Sequence, residues 1–272
     1  MLPNGRLNLE FSSKGKGITY LSRQFYKLPL QVLPVNYPDN DGTAFLYLLN
    51  PSSGMMDGDL FDISLRMTNG AKAVITTPSS NKIYKTPNSM ACQQVKVSVE
   101  PHCILEYLPE HNVPYANSSY RQTVHYDVEK EGMLFTWDIL EPGRMTRGEV
   151  LGFDLYQSEN IFYYDGQLQL IERARLCPQT QDYTSIGILA NRLVSASCYL
   201  VCEKIETALK ESVAESLTLK NVIAGVSCPN RHIMAIKVLT AEIDQMQEVL
   251  HSVWHQVRVY TQNKPAMRFR KY

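Results

Sequence analysis

F-D-I-S-L-R-M-T-N-G-A-K-A-V-I, residues 61–75, is the stretch on which the fold turns. Phe61, Ile63, Leu65 and Met67 alternate with polar residues, the period of a strand with one buried face. Asn69-Gly70 supplies two positive φ angles, so the stretch predicts a tight type I′ hairpin that continues through Ala71, Ala73 and Ile75. Two similar units follow. One runs 94–99, turns at Glu100-Pro101-His102 and resumes at 103–108; the other runs 123–128, turns at 129–132 and resumes at 133–137. First strands near 61, 94 and 123 give a period of roughly 30 residues, which predicts stacked units burying one continuous core.

Working outward, strands are also expected around Leu7, Leu9 and Phe11, and at 43–49, 149–156, 160–164 and 167–176. The segments 76–88 and 109–120, each with two prolines and many polar residues, read as loops along one edge. After about residue 180 the pattern changes. Strands are expected at 195–202, 222–227 and 231–239, the last two joined at Cys228-Pro229-Asn230, with a helix at 203–217. The clearest helix is 241–260, where Ile243, Met246, Leu250, Val253, Val257 and Tyr260 share one face. Thr240 suits its N-cap, and Arg258 suits the negative helix end. The expected fold is therefore mainly β with a few helices: stacked, distorted, solenoid-like strands plus a C-terminal helix. One domain over 1–272 is expected, β-rich over 1–180 and α+β over 181–272.

The bulk numbers exclude several classes. Of 272 residues, 44% are hydrophobic and 20% charged, which is globular. Lys plus Arg and Asp plus Glu are both 27, so no net field recruits nucleic acid or an anionic membrane. No run of about 18 apolar residues predicts a membrane span. Six cysteines without a C-x-x-C pair, behind a start M-L-P-N-G-R that lacks a signal-peptide pattern, predict reduced thiols and a cytoplasmic protein. A phosphate-binding loop fails at Gly15-Lys16-Gly17, and no G-x-S-x-G nucleophile elbow is present.

N-P-S-S-G-M-M-D-G-D, residues 50–59, is a turn-rich loop between apolar runs. Asp57 and Asp59 would point to one side of an extended segment. They could hold a hard cation, act as an acid–base pair on a glycosidic bond, or simply bond turn amides. His251 and His255, four apart with Glu248 alongside, are weak candidates for a transition metal; a solvated helix face is the plainer reading. Arg144, Arg147 and Glu149 beside Gly143 and Gly148 suggest a charged loop presented to a partner, or one braced by its own ion pairs. Lys264, Arg268, Arg270 and Lys271 around Phe269 read as a frayed end or a partner strand.

Four blocks in order carry a resemblance: residues 50–59; T-T-P-S-S-N-K-I-Y-K at 76–85; L-E-Y-L-P-E-H-N-V-P-Y at 105–115; and 138–149, with G-R-M-T-R-G-E at 143–149. Together they resemble the urease accessory proteins of the UreD (also UreH) type, over most of the chain. The departures are Ser53 and Asp57 where the family usually has Gly, Pro78 for glutamine and Lys85 for arginine; the family also usually shows a proline near the position of His111. The resemblance implies a protein that is not an enzyme and has no tightly bound cofactor. It implies a distorted stack of strands that binds a helical accessory protein of the UreF type and, through it, a nickel-carrying GTPase of the UreG type. The assembly docks on apo-urease, with nickel in transit through an internal passage. Asp59, Glu106, Asp138 and Glu149 are the carboxylates expected to line that passage, with Tyr84 and Arg144 shaping it. Two other functions are weighed: a β-solenoid enzyme acting on polysaccharide through Asp57 and Asp59, and a stand-alone nickel store, for which six scattered histidines make a poor tract.

Overall fold

The computed structural model describes residues 4–14, 17–183, 185, 188–218 and 221–268. The first strands are β1 (Gly5–Lys14), β2 (Ile18–Lys27), β3 (Gln31–Val32) and β4 (Ala44–Leu49). The repeat follows as β5 (Leu60–Thr68), β6 (Lys72–Thr76), β7 (Asn81–Ile83), β8 (Ala91–Val99), β9 (Ile104–Leu108), β10 (Asn112–Pro114), β11 (Ser119–Val128) and β12 (Met133–Leu140). Next come β13 (Leu155–Tyr164), β14 (Gln167–Leu176), β15 (Val194–Val201), α1 (Thr207–Ser216), β16 (Ile223–Asn230), β17 (Ile233–Thr240) and α2 (Ile243–Gln262).

The expected stacking is present. β1, β5, β8, β11 and β13 run parallel in one sheet, closed by antiparallel β2 and β14. β4, β6, β9 and β12 run parallel in a second sheet, extended by antiparallel β15, β17 and β16. The chain passes from one sheet to the other at each corner, so it coils as a β-solenoid. β7 and β10 add a short third row, which Met55 joins through a bridge to Ile83.

The turn at Asn69-Gly70 has the expected positive φ values, 54° and 70°, and the Ala71 N–H donates to the Thr68 carbonyl at 3.1 Å. It does not make a hairpin. β5 and β6 lie in different sheets, and β5 pairs with β1 and β8 instead. The turn is a solenoid corner. The same corner recurs at His102 (φ 62°) and Glu131 (φ 63°), and each corner bonds to its neighbour: Ile104 N–H to the Ala71 carbonyl at 2.9 Å, Met133 N–H to the Cys103 carbonyl at 2.9 Å.

Alternation explains the core. Leu7, Ile63, Val95 and Val124 stand in register on the inner face, as do Phe11, Met67, Val99 and Val128. The outer face of the second sheet is apolar too, because the helices cover it. Met246, Val249, Leu250, Val253, Trp254 and Val257 of α2 pack with Phe135, Trp137, Leu200 and Ile236. Two apolar layers thus share the second sheet, one on each side.

Several local expectations need correction. Residues 149–154 are loop, and β13 is one uninterrupted strand from Leu155. The turn expected at 228–230 lies at 231–232, because β16 runs through Pro229 with a bulge after Ser227. Pro229 is tolerated because β16 is the edge of its sheet. Glu242, not Thr240, is the N-cap of α2 and makes no side-chain cap bond. The segments 76–88 and 109–120 are not plain loops, since they hold β7 and β10. Gly15-Lys16 and the tail residues Phe269, Arg270 and Lys271 lie outside the described residues.

Gly54 shows why the 50–59 loop needs a glycine. Its φ is 152°, and a Cβ there would sit 2.1 Å from the Lys82 carbonyl oxygen, the atom that accepts the Met55 N–H at 2.7 Å. Gly54→Ala is expected to lower stability by about 2 kcal/mol or more, whereas Gly70→Ala, with nothing within 4 Å of its Cβ, meets only the backbone strain of positive φ. Chemical denaturation of both variants checks this; equal losses would defeat the close-approach explanation.

Candidate functional site

The loop 50–59 is built by its own polar groups. Asn50 Oδ1 accepts from Ser52 N–H at 3.2 Å and Ser52 Oγ–H at 2.5 Å, while Asn50 Nδ2 donates to the Gly54 carbonyl at 2.7 Å. Asp57 accepts from Ser89 N–H at 2.8 Å and from Asn88 N–H at 3.0 Å, so it stitches this loop to the next coil. Those bonds, led by the one from Ser89, hold its carboxyl below the usual range. Asp59 accepts from Asn4 Nδ2 at 2.6 Å and from Met56 N–H at 2.7 Å. Both acids are engaged by backbone and amide donors of the turn and the next coil, the plainest of the readings open to them.

The stacked loops and the inner sheet faces line an open cavity of about 320 Å³. Asn50, Pro51, Ser53 and Gly54 form part of its wall, with 77–81 of the next coil. The inner rung Gly5–Phe61–Gln93–Gln122–Ser158 turns polar along the stack, and the rung beside it ends in Asn160 after Val124. Gln122, Asn112, Ser158 and Asn160 are all buried. Amide and hydroxyl groups in a row inside an apolar solenoid are costly unless something polar meets them.

Asp138 stands where this row leads. It borders the large cavity and also a smaller chamber of about 50 Å³, and it is shared by both walls. Ser158 Oγ–H donates to its Oδ2 at 2.5 Å, with Asn160 Nδ2 and Asn112 Nδ2 each at 3.4 Å. Burial pushes its carboxyl up, opposed by the Ser158 and Asn160 bonds. It is half-buried and lines both spaces.

Of the six residues expected to act together, the structure brings three into one cluster. Tyr84 and Tyr115 meet edge to face at 5.3 Å, the Arg144 guanidinium lies 4.5 Å over the Tyr115 ring, and Arg144 Nε–H donates to Glu149 at 3.0 Å. Glu149 also accepts from the Ala116 N–H at 2.9 Å. The cluster braces two loops against each other. Asp59 sits on the first loop, and Asp138 stands in the interior.

Glu106 lies apart from them all. On β9 its neighbours Leu105 and Tyr107 face the solenoid interior, so alternation turns Glu106 to the outer face, under α2. There it accepts from Arg258 Nε–H at 3.0 Å, Trp254 Nε1–H at 2.9 Å and Gln262 Nε2 at 3.0 Å. Arg258, expected only to suit the negative helix end, is fully buried and also reaches Asp39 at 2.6 Å. His251 and His255 face the chain's own tail. Ala266 N–H points at His255 Nδ1 at 3.4 Å, and burial lowers the pKa of His251. Among the described residues no three His, Cys, Asp or Glu side chains gather closely enough to hold a metal ion, and no helix is long and apolar enough to cross a membrane.

Gln93, Asn112, Gln122, Ser158, Asn160 and Glu172 were not singled out from sequence. For Gln93, Gln122, Ser158 and Asn160 the signal was available: with the parallel strands laid in register, these polar letters fall on inward positions.

Fold and interior together define a class, a β-solenoid with a largely apolar cavity into which a few buried polar groups and the carboxylate of Asp138 are set. Comparison with known sequences narrows this. A family model described as UreD urease accessory protein matches residues 3–271, and the chain belongs to that family. It is 26% identical over 275 residues to the urease accessory protein UreD of Bacillus cereus, covering 99% of each chain. It is 26% identical over 279 residues to that of Actinomyces naeslundii, covering both chains fully, and 31% identical over 198 residues to that of Cenarchaeum symbiosum, covering 72% of this chain and 69% of the relative.

Proposed function

We propose that this chain serves urease maturation as a non-catalytic scaffold that lets nickel reach apo-urease. It binds a helical accessory protein of the UreF type and, through it, a GTPase of the UreG type, and the assembly docks on apo-urease. Nickel is cargo here, not a resident cofactor. The observation that carries the reading is the row of buried polar groups in an otherwise apolar solenoid, leading from the loop 50–59 to Asp138. Oxygen and amide groups can conduct a hydrated divalent cation while binding it loosely. Family membership supports the urease connection, and the relatives' naming as accessory proteins agrees with a role without catalysis. Work in the cytoplasm fits six cysteines that carry no disulfide.

Co-expression followed by tagged purification tests the reading. The expected result is co-elution with the helical accessory protein, the GTPase and apo-urease, and a urease whose nickel content depends on this chain. A chain that elutes alone and cleaves polysaccharide would defeat it, as would fully nickel-loaded urease made in its absence.

A further inference from the structure

Beyond Asp138 the smaller chamber is bounded by Glu172 of β14 and Ser197 of β15. The Ser197 hydroxyl donates to Glu172 Oε1 at 3.0 Å. Lys237, on the neighbouring β17, places its ammonium on Glu172 and donates to Ser197 Oγ at 2.7 Å, with the Tyr199 ring 5.8 Å away. The Lys237 side chain is 52% exposed and that of Glu172 22%, so a largely solvated ammonium rests on a carboxylate that lines the chamber. Inside, Asn160 is 2% exposed. Its Nδ2 points at Asp138 and Ser158, and its Oδ1 has no hydrogen-bond partner. A buried carbonyl oxygen left without a donor is unfavourable, and a water or a cation would satisfy it. The chamber has room for a few waters or one partly hydrated ion.

We propose that Lys237 is a tethered cation that closes this chamber, its ammonium occupying Glu172 until a hydrated divalent cation, held by Asp138, Glu172 and the Asn160 carbonyl, takes its place. The inference rests on the passage reading above and adds the residue that controls its far end. Without Lys237 two carboxylates would border one small chamber, and the ammonium balances one of them. Glu172 and Lys237 both act on the ionisation of Asp138, in opposite senses, so the three groups share one electrostatic environment. A divalent ion carries twice the charge of the ammonium and gains from both carboxylates. The flexible four-carbon stem lets the ammonium swing to solvent without backbone movement. A donor set made only of oxygen holds a transition cation less firmly than imidazole or thiolate, so the ion can leave again.

Titration of nickel(II) chloride into the purified full-length chain, followed by calorimetry, tests the lock. Lys237→Met is expected to bind nickel about tenfold more tightly than wild type or better, the order expected when a unit charge beside the ion is removed near a protein surface. Lys237→Arg should keep wild-type affinity, and adding Glu172→Gln to Lys237→Met should abolish the gain. Equal nickel affinity in wild type and Lys237→Met, at unchanged thermal stability, overturns the lock. That outcome would leave the passage standing, because the passage is decided separately by the nickel content of urease matured with an Asp138→Asn chain.

Discussion

Arg258→Met should lower the folding free energy by about 3–5 kcal/mol, the usual consequence of leaving one member of a buried ion pair uncompensated. Arg258 has no exposed surface, and Glu106 is 1% exposed. Removing the guanidinium strands a carboxylate between α2 and the outer face of β9, with Trp254 and Gln262 left as its donors among the described residues. Asp39 suffers less, since Lys264 remains 3.0 Å away. The double variant Glu106→Gln/Arg258→Met should be more stable than Arg258→Met alone, because the glutamine keeps an acceptor for Trp254 and carries no charge. Urea denaturation of the three chains checks both statements. A loss below about 1 kcal/mol for the single variant, or a double variant less stable than the single, would show that the pair is not what fastens α2 to the solenoid.

Asp138→Asn should cut nickel loading of co-expressed urease about tenfold or more while making the chain itself more stable. The two effects have one cause. Burial raises the Asp138 pKa, so the folded state holds that proton more tightly than the unfolded state does. The ionised carboxylate therefore costs stability at neutral pH. That cost is fully present above the folded pKa and disappears as pH falls towards the unfolded value of about 3.9. Asparagine removes it, with a gain of about 0.5–2 kcal/mol expected for relieving a strained functional group. The stability gap between variant and wild type should then narrow as pH falls. Urease nickel content, measured alongside denaturation at neutral and mildly acidic pH, reads both. Unchanged nickel loading in an assembled complex would remove Asp138 from any passage, and a destabilised variant would make it a structural residue.

The stack was legible because its signals are local or periodic. Alternation from Phe61 to Met67, and units recurring at a roughly constant interval, follow from the geometry of a strand and of a coil. The hairpin reading of Asn69-Gly70 failed for an instructive reason. Turn residues set the signs of φ at two positions, but they do not choose which strand lies alongside, and the partners of β5 belong to β1 and β8. Glu106 shows the same limit at the site. Alternation alone puts it opposite Tyr107, yet what covers it is a helix that closes on it from the far end of the chain. Arg258 falls four residues after Trp254, on the same helical face, and that spacing carried the hint of its burial, which its place near the helix end did not. Gln93, Gln122 and Ser158 were hidden because each looks ordinary in its own strand and becomes a row only when the coils are laid in register.

The two sides of each coil have unequal freedom. On one side the corners at 68–71, 99–104 and 128–133 are short and bonded to one another, so a change of length there would break the register of both sheets. On the other side the connections 50–59, 77–90, 109–118 and 141–154 are longer and differ from coil to coil. Insertions and deletions can accumulate on that side alone while the strands keep their pairing. A lineage can in this way reshape the segments that border the interior cavity without redesigning the frame that carries them.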